Sequence, residues 1–208
     1  DLVNNTNQLG VDGILWYGAN LIVTDSPNGN VLEVSSDGQT VRQIASGLAR
    51  PTGAWLEATG DLLIADENGN AVYRLHHDGK LDLAAHLPIP DDVVADASEN
   101  IFVVTLGDNA IHLLKAGTNE NVLLVSNLNQ PRGVFVNQLT GEIWVSEGGT
   151  NATKRFPQYA ALLLNPAATF TDSRDWLGIT RNADLFAPGG RFCWTERVSR
   201  RRPSFSRS

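Results

Sequence analysis

LIVTD at residues 21–25, LLIAD at 62–66, IFVVT at 101–105 and IWVSE at 143–147 are four versions of one segment. Each is an apolar run ending in Asp25, Asp66, Thr105 or Glu147, and these ends are 41, 39 and 42 residues apart. A second landmark keeps the same step. VDGIL, PTGAW, PDDVV and PRGVF place Gly13, Gly53, Asp92 and Gly133 at separations of 40, 39 and 41 residues. Two landmarks sharing one period define a repeat. A period of about 40–45 residues built from short strands is that of a β-propeller blade. Leucine-rich and helical solenoids carry other periods or other patterns.

Within one repeat the punctuation predicts four antiparallel strands. In the second unit these are Gly53–Glu57, Leu62–Ala65, Ala71–His77 and Leu81–His86. Leu62–Ala65 is continuously apolar, as a strand buried on both faces should be. Asp78-Gly79 predicts a two-residue hairpin turn, because Gly accepts the positive φ such turns need. The expected fold is therefore all-β: a propeller of four-stranded antiparallel blades over residues 10–196, with units at 10–49, 50–88, 89–129 and 130–196. The fourth unit contains an insertion at 157–175, and LGIT (177–180) with FCWTE (192–196) reads as a ragged fifth blade. Residues 1–9 form a lead, and the Arg- and Ser-rich residues 197–208 form a basic disordered tail.

Composition narrows the function. A hydrophobic fraction of 42% against 19% charged residues suits a folded domain. There is no apolar run long enough for a membrane-spanning helix. Residues 1–196 hold 23 acids against 11 of the 16 Lys and Arg, a balance of 11 − 23 = −12. An acidic propeller argues against a nucleic-acid partner. The lone Cys193 makes no internal disulfide and leaves the compartment open, with an extracellular or periplasmic setting slightly favoured. The chain starts at Asp1 and has no Met, so a processed or trimmed terminus, or a piece of a longer chain, is expected.

RPTGAW with GDLLIADENGNAVYRL (50–75) and QPRGVF with GEIWVSEGGTNATKRF (130–156) resemble NHL-type repeats. GVDGILW with LIVTDSPNGNVLEVSSDG (10–38) is similar to the six-bladed propeller superfamily that includes the senescence-marker-protein/gluconolactonase family. The resemblance covers roughly residues 10–156 and implies that four blades and a partial fifth are incomplete relative to a six-bladed parent. An incomplete ring would expose an edge strand and favour self-association.

The residues just before the glycine landmark are Asp12, Thr52, Asp91 and Arg132, and equivalent blade positions would bring them together at one mouth of the central channel. They are the expected ligand-binding set. In gluconolactonase-like propellers similar Asn and Asp positions hold a calcium-type ion, so the resemblance implies Asp12 and Asp91 as metal ligands and Asp91 as the base of a lactone or ester hydrolase. Calcium takes six to eight oxygens. Arg132 counts against it, because a fixed cation repels a metal and prefers a carboxylate or phosphate. The family's metal-binding Glu near the chain start has no match here.

Asp25, Asp66, Thr105 and Glu147 are expected to be structural, accepting backbone N–H groups in the next turn. His76 and His77 are expected on opposite faces of one strand and so unable to chelate one ion. Trp16, Trp55 and Trp144 are expected in the core. No HExxH, GxSxG, GxGxxG or Walker motif is present. The leading expectation is a non-catalytic module that binds a protein, peptide or small molecule through its channel mouth or one face, without an organic cofactor. The alternative is a calcium-dependent lactonase or esterase.

Overall fold

The computed structural model describes residues 10–118, 120–164 and 171–172. Among them, sixteen strands form four antiparallel sheets, each ordered by chain sequence. The first is β1 (Val11–Tyr17), β2 (Asn20–Asp25), β3 (Asn30–Ser35) and β4 (Val41–Ala45). The second is β5 (Pro51–Leu56), β6 (Leu62–Asp66), β7 (Ala71–Leu75) and β8 (Leu81–His86). The third is β9 (Pro90–Ala95), β10 (Ile101–Thr105), β11 (Ala110–Leu114) and β12 (Asn121–Val125). The fourth is β13 (Pro131–Val136), β14 (Ile143–Glu147), β15 (Ala152–Phe156) and β16 (Thr171–Asp172). The first strands β1, β5, β9 and β13 lie side by side, so the sheets are arranged as propeller blades about a common axis.

The lead, the two segments of the expected fifth blade, Cys193 and the basic tail lie outside the described residues. One expectation needs correction. The region read as an insertion after residue 157 contains helix α1 (Tyr159–Leu164) and then β16, which pairs with Lys154 and Arg155 as the fourth strand of blade 4. A two-residue strand is too short to show in a sequence pattern.

The second strands explain the landmark. Every residue of β6 and β10 is buried, because a second strand has strands on both edges and a blade on both faces. Three apolar clusters fill the spaces between blades. Ile22, Val31, Leu62 and Ile64 join blades 1 and 2. Leu63, Val72, Val93 and Val103 join blades 2 and 3. Phe102, Leu113, Val136, Ile143 and Phe156 join blades 3 and 4. A fourth cluster, Leu21, Val23, Leu32 and Val34, lies on the face of blade 1 turned away from blade 2. On that face Ile14 and Trp16 are 60% and 56% exposed, so Trp16 is not a core residue. Trp55 packs against two clusters, and Trp144 is half-buried beneath the Arg155 guanidinium, 5.5 Å from the ring centroid.

A third landmark, unread in the sequence, stitches the blades together. The N–H groups of Leu48, Leu87 and Leu128 donate to the carbonyls of Gly29, Asn70 and Asn109 at 3.1, 3.0 and 2.9 Å. Each carries the chain from the outer strand of one blade to the inner strand of the next. Asn70 and Asn109 adopt left-handed backbone (φ 51° and 55°), which Asn tolerates better than most residues. Their side-chain oxygens then accept the N–H groups of Ile89 and Gln130 at 2.9 and 3.0 Å.

The β7–β8 turn also differs from expectation. His76 N–H donates to the Lys80 carbonyl at 2.8 Å, which leaves three loop residues rather than two. Gly79 supplies the left-handed position (φ 87°) that such a three-residue loop requires.

Candidate functional site

Asp12, Thr52, Asp91 and Arg132 are each the second residue of an innermost strand, at the end where the inter-blade loops enter. Two cross-blade ion pairs form there. Arg132 Nη1 lies 3.2 Å from Asp91 Oδ1, linking blades 4 and 3. Arg50 Nη2 lies 3.1 Å from Asp12 Oδ2, linking the entry to blade 2 with blade 1. Arg50 Nη1 also comes within 3.1 Å of Glu67 Oε2, an ion-pair contact without hydrogen-bond geometry. The Arg50 and Arg132 side chains remain 41% and 50% exposed, while the Asp91 side chain is 13% exposed.

Burial pushes the Asp91 carboxyl above its ordinary range; Arg132 pulls it back, and the negative charges of Glu67 and Asp12 push it up further. Asp91 is therefore influenced by the carboxylates around Arg50 as well as by its own partner Arg132. Thr52 departs from the set. It is buried, and its hydroxyl donates to the Ala65 carbonyl at 3.3 Å while its own carbonyl accepts from the Thr24 hydroxyl at 2.7 Å. It braces strands rather than facing the mouth. Arg50 and Glu67 were not legible as site residues. They stand just before β5 and just after β6, in positions that only the packing of neighbouring blades brings to the mouth.

Asp92 is the other group that the sequence did not flag. It occupies the landmark position held by Gly13, Gly53 and Gly133 in the other blades, and its carboxyl lies in the space beside Gly53 and Gly133. Its Oδ2 accepts from Val134 N–H in blade 4 and its Oδ1 from Val93 N–H, both at 2.9 Å. A Cβ on Gly53 would lie 2.3 Å from Asp92 Oδ1, so β5 and β9 approach this closely only with Gly at 53. Burial raises the Asp92 pKa to about 7; the two N–H donors pull it down and Asp91 pushes it up. Such a group exchanges a proton near neutrality. The available signal was the single acid in a column of glycines.

The acidic ends of the second strands are structural. Asp66 accepts the N–H groups of Ala49 and Arg50 at 3.0 and 2.6 Å. Glu147 accepts from Asn129 N–H, the Thr150 hydroxyl and Lys154 Nζ, each at 2.8 Å. Their backbone donors lie in the loop entering the inner strand rather than in the following turn. Asp25 instead accepts from the Asn28 amide at 2.9 Å, and the Thr105 hydroxyl donates to Asp108.

The histidine expectation is corrected. β7 ends at Leu75, so His76 closes the turn and His77 lies within it, and neither belongs to the strand. Both Nδ1 atoms flank the Asp61 carboxylate, at 2.9 and 3.8 Å. His112 is buried between Asp108 (2.8 Å) and Asn121 (3.0 Å). Among the described residues, no three His, Cys, Asp or Glu side chains group in a way that would hold a metal ion.

No family model matches the chain, and no curated protein matches its sequence. Solved structures do match. A nidogen/laminin complex superposes with a TM-score of 0.69 at 22% identity, over 80% of this chain and 64% of that one. A gluconolactonase from Xanthomonas campestris gives 0.65 at 19% identity, over 72% and 58%. Virginiamycin B lyase from Staphylococcus aureus gives 0.61 at 18%, over 74% and 55%. The chain is thus of the β-propeller class, shared with gluconolactonase-like proteins and with a propeller found in a protein complex. It spans less than two thirds of the length of each of these structures.

Proposed function

We propose that this chain is a binding module whose channel mouth takes a protein or peptide ligand. The observation that carries the reading is the pair of half-exposed guanidinium groups, Arg50 and Arg132, held over buried or half-buried carboxylates from neighbouring blades. A part-exposed guanidinium suits carboxylate groups of a ligand, which it can meet in planar, paired geometry. The superposition on a propeller from a nidogen/laminin complex supports a protein as the partner class. The test is binding of acidic, neutral and basic twelve-residue peptides by biolayer interferometry to wild type and Arg132→Ala. Acidic peptides should bind, weaken with added salt and be lost in the variant. Equal binding of all three sets, or no effect of the substitution, overturns the reading.

A second reading is a calcium-dependent lactonase or esterase, supported by the gluconolactonase superposition and by Asp91, whose raised pKa suits a base. The donor set fits calcium poorly. Asp12 and Asp91 each already engage an arginine, and two fixed positive charges border the place the ion would take. In this reading Asp12 and Asp91 would hold the ion, which would polarise a carbonyl. A melting curve with and without calcium, together with lactone turnover, tests it. Self-association belongs to the same proposal: Ile14 and Trp16 offer an apolar patch on the outer face of blade 1. Sedimentation of wild type against Trp16→Ser measures it.

A further inference from the structure

Between β15 and β16 of blade 4 the chain turns back across the ends of the sheets, on the side remote from the mouth. Gln158 passes over Gly141, where an added Cβ would sit 3.1 Å from Gln158 Cβ. The Tyr159 ring meets Phe102 edge-on with centroids 5.6 Å apart, and its hydroxyl lies 3.3 Å from the Asn100 amide, which donates. Leu162 is 4% exposed within the cluster between blades 3 and 4. Residues 158–162 thus plug the notch between those two blades.

The repeat supplies the same notch between blades 1 and 2. Register from the strand ends puts Asn20 and Ile22 where Asn100 and Phe102 stand, and puts Gly60, Leu62 and Leu75 where Gly141, Ile143 and Phe156 stand. Among the described residues, nothing fills this second notch as residues 158–162 fill the first. A Cβ on Gly60 would meet nothing within 4 Å. A groove of about 140 Å³ lies there, lined by Tyr17, Ile44, Leu62 and Leu75 and, from the β7–β8 turn, by His76, His77 and Asp78. That is well below the roughly 300–1,000 Å³ of small-molecule sites, so it suits one side chain rather than a cofactor. On its rim Glu33 accepts from Arg42 Nε at 3.1 Å and from Asn20 Nδ2 at 2.6 Å.

We propose that the groove between blades 1 and 2 binds a tyrosine-bearing peptide segment of a partner protein, laid across the blade ends as the chain's own residues 158–162 are laid between blades 3 and 4. The apolar floor takes the ring, and the Asn20–Glu33–Arg42 set gives the hydroxyl a polar partner, as Asn100 does for Tyr159. A buried ring with a satisfied hydroxyl is the arrangement that favours tyrosine over phenylalanine. This inference rests on the binding-module reading but uses the opposite end of the blades from the mouth.

The probe is a synthetic peptide of the 157–164 sequence, made soluble by two added lysines, titrated into isotopically labelled protein and followed by amide chemical shifts. The amides of Gly60 and Ile44 should move. Affinity should fall at least about tenfold for a peptide with Ala in place of its tyrosine, and likewise for the protein variant Ile44→Arg. Gly60→Asn is a second obstruction, since Asn tolerates the left-handed backbone at that position (φ 91°). Unchanged far-ultraviolet circular dichroism confirms that either variant is folded. Shifts confined to Phe102 and Gly141, meaning exchange with the chain's own plug, overturn the proposal, as does the absence of any shift. Shifts confined to Gly148 beside Arg132, abolished by Arg132→Ala, overturn it while leaving the mouth reading intact.

Discussion

Replacing Asp92 by Asn should stabilise the protein increasingly as pH rises. The Asp92 carboxyl is half-buried between β5, β9 and β13, and desolvation there raises its pKa from 3.8 to about 7. The native state therefore holds its proton more tightly than the unfolded chain does. Between those two values wild type loses stability as pH rises, and above about 7 the full penalty is present. At 1.36 kcal/mol per tenfold change, the gap corresponds to roughly 4 kcal/mol at pH 8 and roughly 2 kcal/mol at pH 5. Asn carries no such penalty. It has one acceptor oxygen, however, and must leave either Val93 or Val134 N–H without a partner, which costs about 1–3 kcal/mol at every pH. The absolute gain is thus modest, but its change with pH is clean: the variant should gain roughly 2–3 kcal/mol over wild type between pH 5 and pH 8. Urea unfolding followed by tryptophan fluorescence at both values measures it. A stability difference that is the same at pH 5 and pH 8 would refute the assignment of Asp92 as a group that titrates near neutrality.

Other substitutions test the framework. Gly53→Ala should destabilise by about 1–3 kcal/mol, because its Cβ would lie 2.3 Å from Asp92 Oδ1 and 2.7 Å from Asp92 Cα; urea midpoints read the effect. Phe102→Ala, which empties the fully buried centre of the interface between blades 3 and 4, should cost about 3–5 kcal/mol in the same assay. Glu147 behaves oppositely to Asp92. Burial pushes its carboxyl up, but Lys154, Asn129 N–H and Thr150 outweigh this and hold it below its ordinary value. Its contribution is therefore present above 4.5 and lost as pH falls through the lowered native value, so Glu147→Gln should flatten the acid limb of the melting curve. Arg132→Ala should change stability by no more than about 1 kcal/mol, since the Arg132 side chain is 50% exposed, and calorimetry would expose any larger loss.

The sequence by itself determined the blades. Burial on both faces forces a second strand to be apolar throughout, and each blade needs one, so LIVTD, LLIAD, IFVVT and IWVSE recur at a fixed step. It also placed Asp12, Asp91 and Arg132 at one mouth, because equivalent positions in a repeat converge on its axis. What the sequence could not supply was pairing between residues that no period relates. Arg50 precedes an inner strand and Glu67 follows a second strand, yet Arg50 lies within ion-pair distance of both Glu67 and Asp12 of blade 1 because adjacent blades splay from one centre. Asp92 reads as a degraded glycine until β5 and β13 close around it and strip its carboxyl of water. Alternation assigns His76 and His77 to a strand, but the strand ends two residues earlier, at Leu75, and a turn can aim neighbouring side chains at the same carboxylate. Local pattern fixes which residues are strand and which face is apolar. The protonation, pairing and space of a site depend on atoms brought together from different blades, and those distances exist only once the sheets have packed.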